Sequence, residues 1–197
     1  SAASDVYKRQ DIWSKAVKHK SLYQYEALLA YKHALMPALQ YPLGASLLTE
    51  PQCEHIQSPA LTKVLQKYGI ISTIARDIIH GPPHYGGLNL TNLYTDNGCQ
   101  KIRLLLGHIR KGDKMSDIIK VALGCAQQEI GISTPILTEP YSTYAPISTP
   151  SWIQHIWKFL ESVGGTIEYP SAWTPLRPFE HNVNLVEFIA SQRPVPH

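Results

Sequence analysis

The chain has 197 residues, of which 44% are hydrophobic and 17% charged, and its formal net charge at pH 7 is +3. This is the composition of a globular protein, and it excludes an intrinsically disordered chain. No apolar run approaches the roughly 20 residues that a helix needs to cross a bilayer, so we expect a soluble chain with no membrane partner.

The first ten residues, Ser1 to Gln10, resemble the translated end of a transposon adapter used to prepare sequencing libraries, most clearly from Asp5 onward. A leader of this kind is set aside before the fold is considered. We therefore expect residues 1–10 to be an artefact and the native fold to begin at Asp11. The C-terminal end is expected to be truncated as well.

Hydrophobic residues at helical spacing predict two helices in the next part of the chain. Ser21 can cap the first helix, and Pro37 and Pro42 should break it. The second helix should begin at Thr49, which forms a capping-box pattern with Gln52. Gly69 should end that helix in a left-handed conformation.

A short helix over residues 72–79 is predicted to lead into the segment from His80 to Gly87, which holds two prolines and three glycines in eight positions. Neither a helix nor a central strand tolerates that composition, so we predict a shaped loop. Four residues are expected to define its backbone: Gly81, Pro82, Gly86 and Gly87. Unusual backbone angles are expected at Gly86 and Gly87, immediately after the two prolines, and a positive φ at Gly87 would make its replacement by valine costly.

The next helix should begin at Thr91 or Asn92 and run through residue 109 with one apolar stripe. Four basic residues lie off that stripe and are expected on the solvent face: Lys101, Arg103, His108 and Arg110. Asp113 can cap the following helix, in which Ile118 is among the residues expected to face inward.

The segment over residues 132–150 is rich in Thr, Ser and Pro, which makes it the best candidate for an internal boundary. A last clear helix should begin at Thr149, with Pro150 in its first turn. Thr166 to Tyr169 alternates like a strand, and residues 185–190 fit a strand or a helix.

The predicted fold is therefore mainly α. We expect a helical bundle over residues 11–130 and a smaller, mostly helical region with short strands over residues 131–197. Cysteines at three widely spaced positions do not form a disulfide framework, which favours an intracellular setting, cytoplasmic or nuclear.

Few residues suggest a catalytic centre. The sequence has no nucleophile elbow and no phosphate-binding glycine loop. It also has no adjacent aspartates of the kind that hold two metal ions in polymerases. Asp113 and Asp117 lie one helical turn apart and are expected to be an exposed pair near a helix start. No catalytic residue is assigned in this chain.

Two short patterns allow other interpretations. Cys53 with His55, and His80 with His84, suggest zinc ligands, but neither pair has the partners that ligand spacing requires. A hydrolase could instead use His80, His84 and Asp77. Buried thiols and solvated imidazoles are the simpler alternative, so we expect no metal site.

Three blocks carry a family resemblance: Ala34 to Leu43, Ile56 to Leu61, and His80 to Asp96, which contains Gly-Pro-Pro, then Tyr-Gly-Gly-Leu-Asn-Leu, then Leu-Tyr. Their order and spacing resemble the region after the polymerase core in reverse transcriptases of non-LTR retrotransposons. The resemblance covers about Tyr23 to Arg110 and continues loosely to Trp157. Asn89 stands where that family has glycine, and asparagine tolerates left-handed backbone better than other residues with a side chain.

The resemblance implies an RNA-directed DNA polymerase whose catalytic Tyr/Phe-x-Asp-Asp block and magnesium lie upstream of Asp11, so no cofactor is expected in this fragment. Residues from about 20 to 120 would form the thumb, a helical bundle that grips the duplex of RNA template and DNA primer, and a post-thumb region would follow. Seven basic residues are the candidates for phosphate contacts: Lys63, Lys67, Arg76, Lys101, Arg103, Arg110 and Lys111.

Two alternatives stay open. Positive charge is concentrated between Thr91 and Lys120, with six cations and three anions, and such a stretch can also be a solvated helix face. The chain could also be a helical protein-interaction module with three tryptophan anchors, or the same tryptophans could be core residues: Trp152, Trp157 and Trp173.

Overall fold

The computed structural model describes residues 2–19, 23–71 and 73–169, and all regular structure within these ranges is helical. The prediction of a mainly α fold is therefore confirmed. The strand expected over Thr166 to Tyr169 is not formed. This segment donates one backbone hydrogen bond, from Ile167 N to the Leu137 carbonyl (3.2 Å), and one bond does not make a ladder. Residues 185–190 lie outside the described ranges.

The described residues up to Lys101 and those from Ile102 onward form two compact units. The helices of the first unit are α1 (Ala2–His19), α2 (Gln24–Ala30), α3 (Met36–Leu43), α4 (Glu50–Tyr68) and α5 (Arg76–His80). Helix α6 (Leu93–Lys111) contains the division, whereas the sequence placed a boundary after residue 130. The remaining helices are α7 (Lys114–Ile130), α8 (Tyr141–Tyr144) and α9 (Trp152–Ser162).

Pro37 does not break its helix, and Pro42 lies inside it, which corrects the sequence prediction. A π-helical turn over Tyr31–Leu35 joins α2 to α3, and within it Met36 N donates to the Tyr31 carbonyl five residues earlier. A proline ring in a regular α-helix collides with the carbonyl four residues earlier and removes a hydrogen bond. The wider turn just before Pro37 changes the hydrogen-bond register, and the chain stays helical to Leu43.

Helices α1, α3 and α4 enclose the core of the first unit, and α2 packs against α4. The core includes these side chains, each at most 2% exposed: Tyr31, Leu35, Ile56, Val64 and Leu93. Tyr7 of α1 packs against this core, so residues assigned to an adapter are part of a packed helix here. Their origin as an adapter stays a prediction.

The capping predictions for α4 are confirmed. Gln52 Oε1 accepts a hydrogen bond from Thr49 N (2.9 Å), and Gly69 ends the helix with φ of 78°. Inside the same helix, Gln57 connects α4 to the start of α6. Its Nε2 donates to the Thr91 carbonyl (2.6 Å), and its Oε1 accepts from Leu93 N (3.0 Å). These buried bonds fix where α6 begins.

The second unit has its own core around α7 and α9. Trp157 is 1% exposed, and its Nε1 donates to the Glu139 carbonyl at 2.6 Å. Asp113 caps α7 as predicted, because its Oδ1 accepts from Ser116 N (3.0 Å). The inward assignment of Ile118 is wrong, since this side chain is 61% exposed and its neighbour Ile119 is buried instead.

The connector over residues 132–150 is more ordered than its composition suggested. It contains helical turns over Ile136–Thr138, Tyr141–Tyr144 and Ala145–Ile147. Helix α9 begins later than expected, because Ser151 rather than Thr149 caps it and accepts from Gln154 N (3.1 Å).

Candidate nucleic-acid interface

The loop from His80 to Leu90 is held closed by its own backbone. Three amides of its returning segment donate to carbonyls at the end of α5: Leu88 N to Ile78 O (3.0 Å), Asn89 N to Gly81 O (2.9 Å) and Leu90 N to Ile79 O (3.0 Å). The His80 ring closes the loop further, because its Nδ1 lies 2.6 Å from the Leu90 carbonyl oxygen and donates to it. The most conspicuous block of the sequence therefore folds as one hydrogen-bonded loop.

Gly81 and Gly87 allow two stretches of this loop to touch. A Cβ added to Gly87 would overlap the backbone of Gly81, and one added to Gly81 would lie 2.6 Å from the Asp77 carbonyl oxygen. Neither position has room for a side chain. The unusual backbone expected after the prolines is confirmed at Gly86, which is left-handed with φ of 81°, whereas Gly87 has no positive φ. Close backbone approach, rather than an unusual angle, requires glycine at Gly87.

Asn89 adopts the left-handed backbone for which glycine is the usual choice. Its φ is 50°, and within the described ranges no other residue with a side chain has a positive φ. Asparagine is among the few residues that accept this conformation at low cost. Asn89 stands where the resembled family has glycine, and both residue types can adopt the left-handed backbone found at this position.

Lys101 does not lie on the solvent face, which corrects the sequence prediction. It is 2% exposed, one helical turn after Asn97, which is 1% exposed. Burial lowers the pKa of Lys101 to about 8, and the neighbouring Cys53 partly opposes that shift. Burial likewise raises the pKa of the Cys53 thiol to about 11, with Asn97 and Lys101 opposing it. An ammonium in this position does not reach a phosphate outside the protein.

The cations after the middle of α6 are more accessible. Arg103 and Arg110 are exposed, and the Lys111 side chain is 75% exposed although its Nζ lies 3.6 Å from Asp113. Asp113 also accepts from His108 Nδ1 (2.9 Å), and these contacts, His108 first, hold the pKa of its carboxyl below the usual range. Asp113 therefore stabilises the turn between α6 and α7, next to the exposed side chain of Lys111.

The three first-unit candidates have different surroundings. Lys63 and Lys67 are half-buried on α4. Arg76 is exposed, but its Nε lies 3.8 Å from Glu54 Oε1, and it lines a cleft of about 180 Å³ together with Glu50 and Glu54. The Glu54 carboxylate beside Arg76 reduces its attraction for phosphate.

No protein-family model, curated protein or solved structure matches this chain. None of the helices in the described part of the chain combines the length and apolar character needed to cross a bilayer. The function has to be inferred from the loop, the exposed cations and the chemistry around them.

The positions of the residues named for a zinc site or a hydrolase do not support either interpretation. Cys53 is buried among core residues, whereas His55 is exposed and its ring centroid lies 6.3 Å from that of Tyr7. His80 Nδ1 donates to the Leu90 carbonyl rather than to Asp77. Over the described ranges, no three His, Cys, Asp or Glu side chains gather into a group that could hold a metal ion.

Two residues of interest were missed by sequence reasoning. The i, i+4 spacing of Leu93, Asn97 and Lys101 was the available signal that Lys101 follows a buried face of α6. Tyr85 was treated as part of the loop, yet it is 83% exposed beside His84. An aromatic residue between prolines and glycines is the pattern that could have drawn attention to it.

Proposed function

We propose that this chain is the thumb and post-thumb part of a reverse transcriptase of the non-LTR retrotransposon kind, and that it holds the duplex of RNA template and DNA primer through phosphate contacts. The catalytic aspartates and their magnesium belong to the polymerase core upstream of Asp11. In this chain Asp113 is already engaged by His108 and Ser116 as a helix cap, so its donor set does not suit the magnesium, and we derive no metal-dependent step.

The observation that carries the proposal is the folding of the His80–Asp96 block. The His80–Asp96 block forms one closed loop followed directly by the capped start of α6, where Asn92 Oδ1 accepts from Tyr94 N (2.9 Å). Asn89 takes a left-handed backbone at the position where the family has glycine. A left-handed backbone at this position supports the resemblance, because glycine is the residue that adopts it most readily.

Exposed cations near the end of α6 supply the affinity in this proposal. Arg103, Arg110 and Lys111 contact phosphates, which position a duplex without reading its sequence. Lys101 is left out because it is buried, and Arg76 contributes little because Glu54 is beside it. The free thiols Cys53, Cys99 and Cys125 are in keeping with the cytoplasmic or nuclear setting that such an element uses.

The test is binding of the full chain to an RNA–DNA duplex at several salt concentrations, followed by fluorescence anisotropy. Replacing Arg103 and Arg110 by alanine should reduce the slope of log affinity against log salt by about two units if each arginine contacts one phosphate. A matched control replaces Lys120 and Lys158, two exposed cations elsewhere, and should leave the slope unchanged. Equal slopes in both double variants, or no duplex binding by the wild type, would contradict the proposal.

A protein-interaction module remains a second candidate function, but with contact residues other than the tryptophans that the sequence suggested. Trp157 is a core residue, Trp152 packs partly buried against the same core, and Trp173 lies outside the described residues, so tryptophan anchors do not support it. Helix α7, however, exposes three large apolar side chains: Met115 (47%), Ile118 (61%) and Val121 (65%). If this face binds a protein, Ile118→Asp should abolish co-purification of a partner without changing duplex affinity.

A further inference from the structure

The loop between α5 and α6 holds an aromatic ring out in solvent. Tyr85 is 83% exposed, and the ring of His84 lies beside it, with centroids 4.2 Å apart and planes tilted by 49°. Burial of an aromatic side chain is a major source of stability, and Tyr85 contributes little of it to the fold. Most of its ring is therefore free to contact a ligand outside the chain.

The backbone that carries this ring is rigid. Tyr85 N donates to the Pro82 carbonyl (3.1 Å), and Gly86 N donates to the Pro83 carbonyl (2.9 Å). Gly87 N donates to the same Pro82 carbonyl (3.1 Å), immediately before the contact between Gly87 and Gly81. Because the backbone of the loop is already ordered, the loop loses little conformational entropy when a ligand binds. A single contact with this ring can therefore contribute a large share of the affinity.

Positive charge lies at the base of the loop. Lys32 Nζ donates to the Leu88 carbonyl (3.3 Å), three residues after Tyr85. An ammonium has three donors, and this bond uses one of them. The loop therefore pairs an exposed π face with a cation that has donors left for an acceptor such as a phosphate oxygen.

We propose that His84 and Tyr85 form a stacking platform for one unpaired nucleobase of a single-stranded segment, with Lys32 contacting a phosphate near that base. This inference rests on the proposed nucleic-acid function and adds a single-strand site to it. Every base has a π face, so stacking tolerates any sequence. The Lys32 ammonium beside the loop favours a ligand that carries phosphates over an apolar protein surface.

The test compares two ten-nucleotide strands of equal phosphate number, oligo-dT and the same backbone without bases, binding to the full chain. Tyr85→Ala should weaken oligo-dT binding at least about fivefold, the lower end of what the loss of one base–aromatic stack costs. It should leave binding of the abasic strand unchanged. Tyr85→Phe, which keeps the π face, should bind oligo-dT within about twofold of the wild type.

The matched control is Tyr25→Ala, which removes another exposed tyrosine of the first unit and should change neither affinity. Circular-dichroism melting checks that each variant is folded. Loss of the same factor on both strands, or no loss on either, would overturn the stacking platform while leaving duplex binding intact. A wild-type chain that binds neither strand nor a duplex would overturn the proposed function and this site together.

Discussion

Lys101 and Cys53 interact within the core of the first unit, each a titratable group at most 2% exposed. Burial opposes the charged form of both, so it lowers the pKa of the amine and raises the pKa of the thiol. At neutral pH the folded chain therefore carries a buried ammonium at a cost in stability.

That cost gives a pH dependence with a definite sign. The pKa of Lys101 falls from 10.5 to about 8 on folding, so the full cost applies below pH 8 and decreases as pH rises toward 10.5. The free energy of unfolding should increase by about 1 kcal/mol between pH 7 and 9. Above pH 9 the raised pKa of Cys53 acts in the opposite direction, so denaturant titrations should stop there.

Lys101→Met should remove this dependence and raise the free energy of unfolding at pH 7 by roughly 2 kcal/mol, because methionine fills similar space without a charge. Lys120→Met, at an exposed lysine, is the control and should leave the pH profile unchanged. If Lys101→Met destabilises the chain at pH 7, the ammonium has a stabilising partner and this account of Lys101 is wrong.

Gly87→Ala should destabilise the chain by about 2 kcal/mol or more, because the new methyl group meets the Gly81 backbone, which cannot move aside as a flexible side chain would. Gly86→Ala should cost only about 1 kcal/mol, since the space there is open and the strain is in the positive φ alone. Gly107→Ala, in open space within α6, should be neutral or slightly stabilising. Thermal melts of the three variants would show this order, and equal melting temperatures would contradict it.

Asn89→Gly should leave the melting temperature close to that of the wild type, because glycine accepts the same left-handed backbone. Asn89→Val should cost more than about 1 kcal/mol, since a β-branched residue is strained at positive φ. Comparison of the two melts separates backbone strain from loss of the asparagine side chain. A glycine variant as unstable as the valine variant would mean that the side chain itself is needed.

Gln57→Leu should cost roughly 2–4 kcal/mol, because it leaves the Thr91 carbonyl and the Leu93 amide without their partner at the start of α6. Tyr31→Phe removes the hydroxyl that accepts from Gln57 Nε2 (2.6 Å) and should cost only about 1 kcal/mol. Hydrogen exchange at Leu93 should accelerate in the leucine variant and remain protected in the phenylalanine variant.

Local signals in the sequence predicted most helix ends correctly. Caps at Thr49 and Asp113 and the left-handed end at Gly69 depend on neighbouring residues, so they can be found by inspection. The inward assignment of Ile118 failed because two adjacent isoleucines fit the same apolar pattern, and only packing decides between Ile118 and Ile119.

Long-range contacts explain what the sequence could not predict about the site. Lys101 is charged by type, yet it is buried near Cys53, a residue of a helix far away in the chain. Unusual backbone after the prolines could be predicted and is found at Gly86, but the need for glycine at Gly87 depends on the approach of Gly81, which the sequence does not show. The exposure of Arg103 and Arg110 could be predicted from the sequence, because both are charged and both lie off the apolar stripe of α6.

A π-helical turn over Tyr31–Leu35 joins α2 to α3, and the continuous helix that results cannot lose a residue there without moving its core side chains. Tyr31, Leu35, Leu39 and Leu43 recur every four residues and all lie in the core, although a regular α-helix of 3.6 residues per turn would carry them progressively around its axis. Deleting one residue here would turn everything after it by about 100° and carry Leu39 and Leu43 toward solvent. The π-helical turn therefore acts as a one-residue insertion in this helix. It keeps Leu39 and Leu43 on the core side, and Pro37, which follows directly, helps to maintain it.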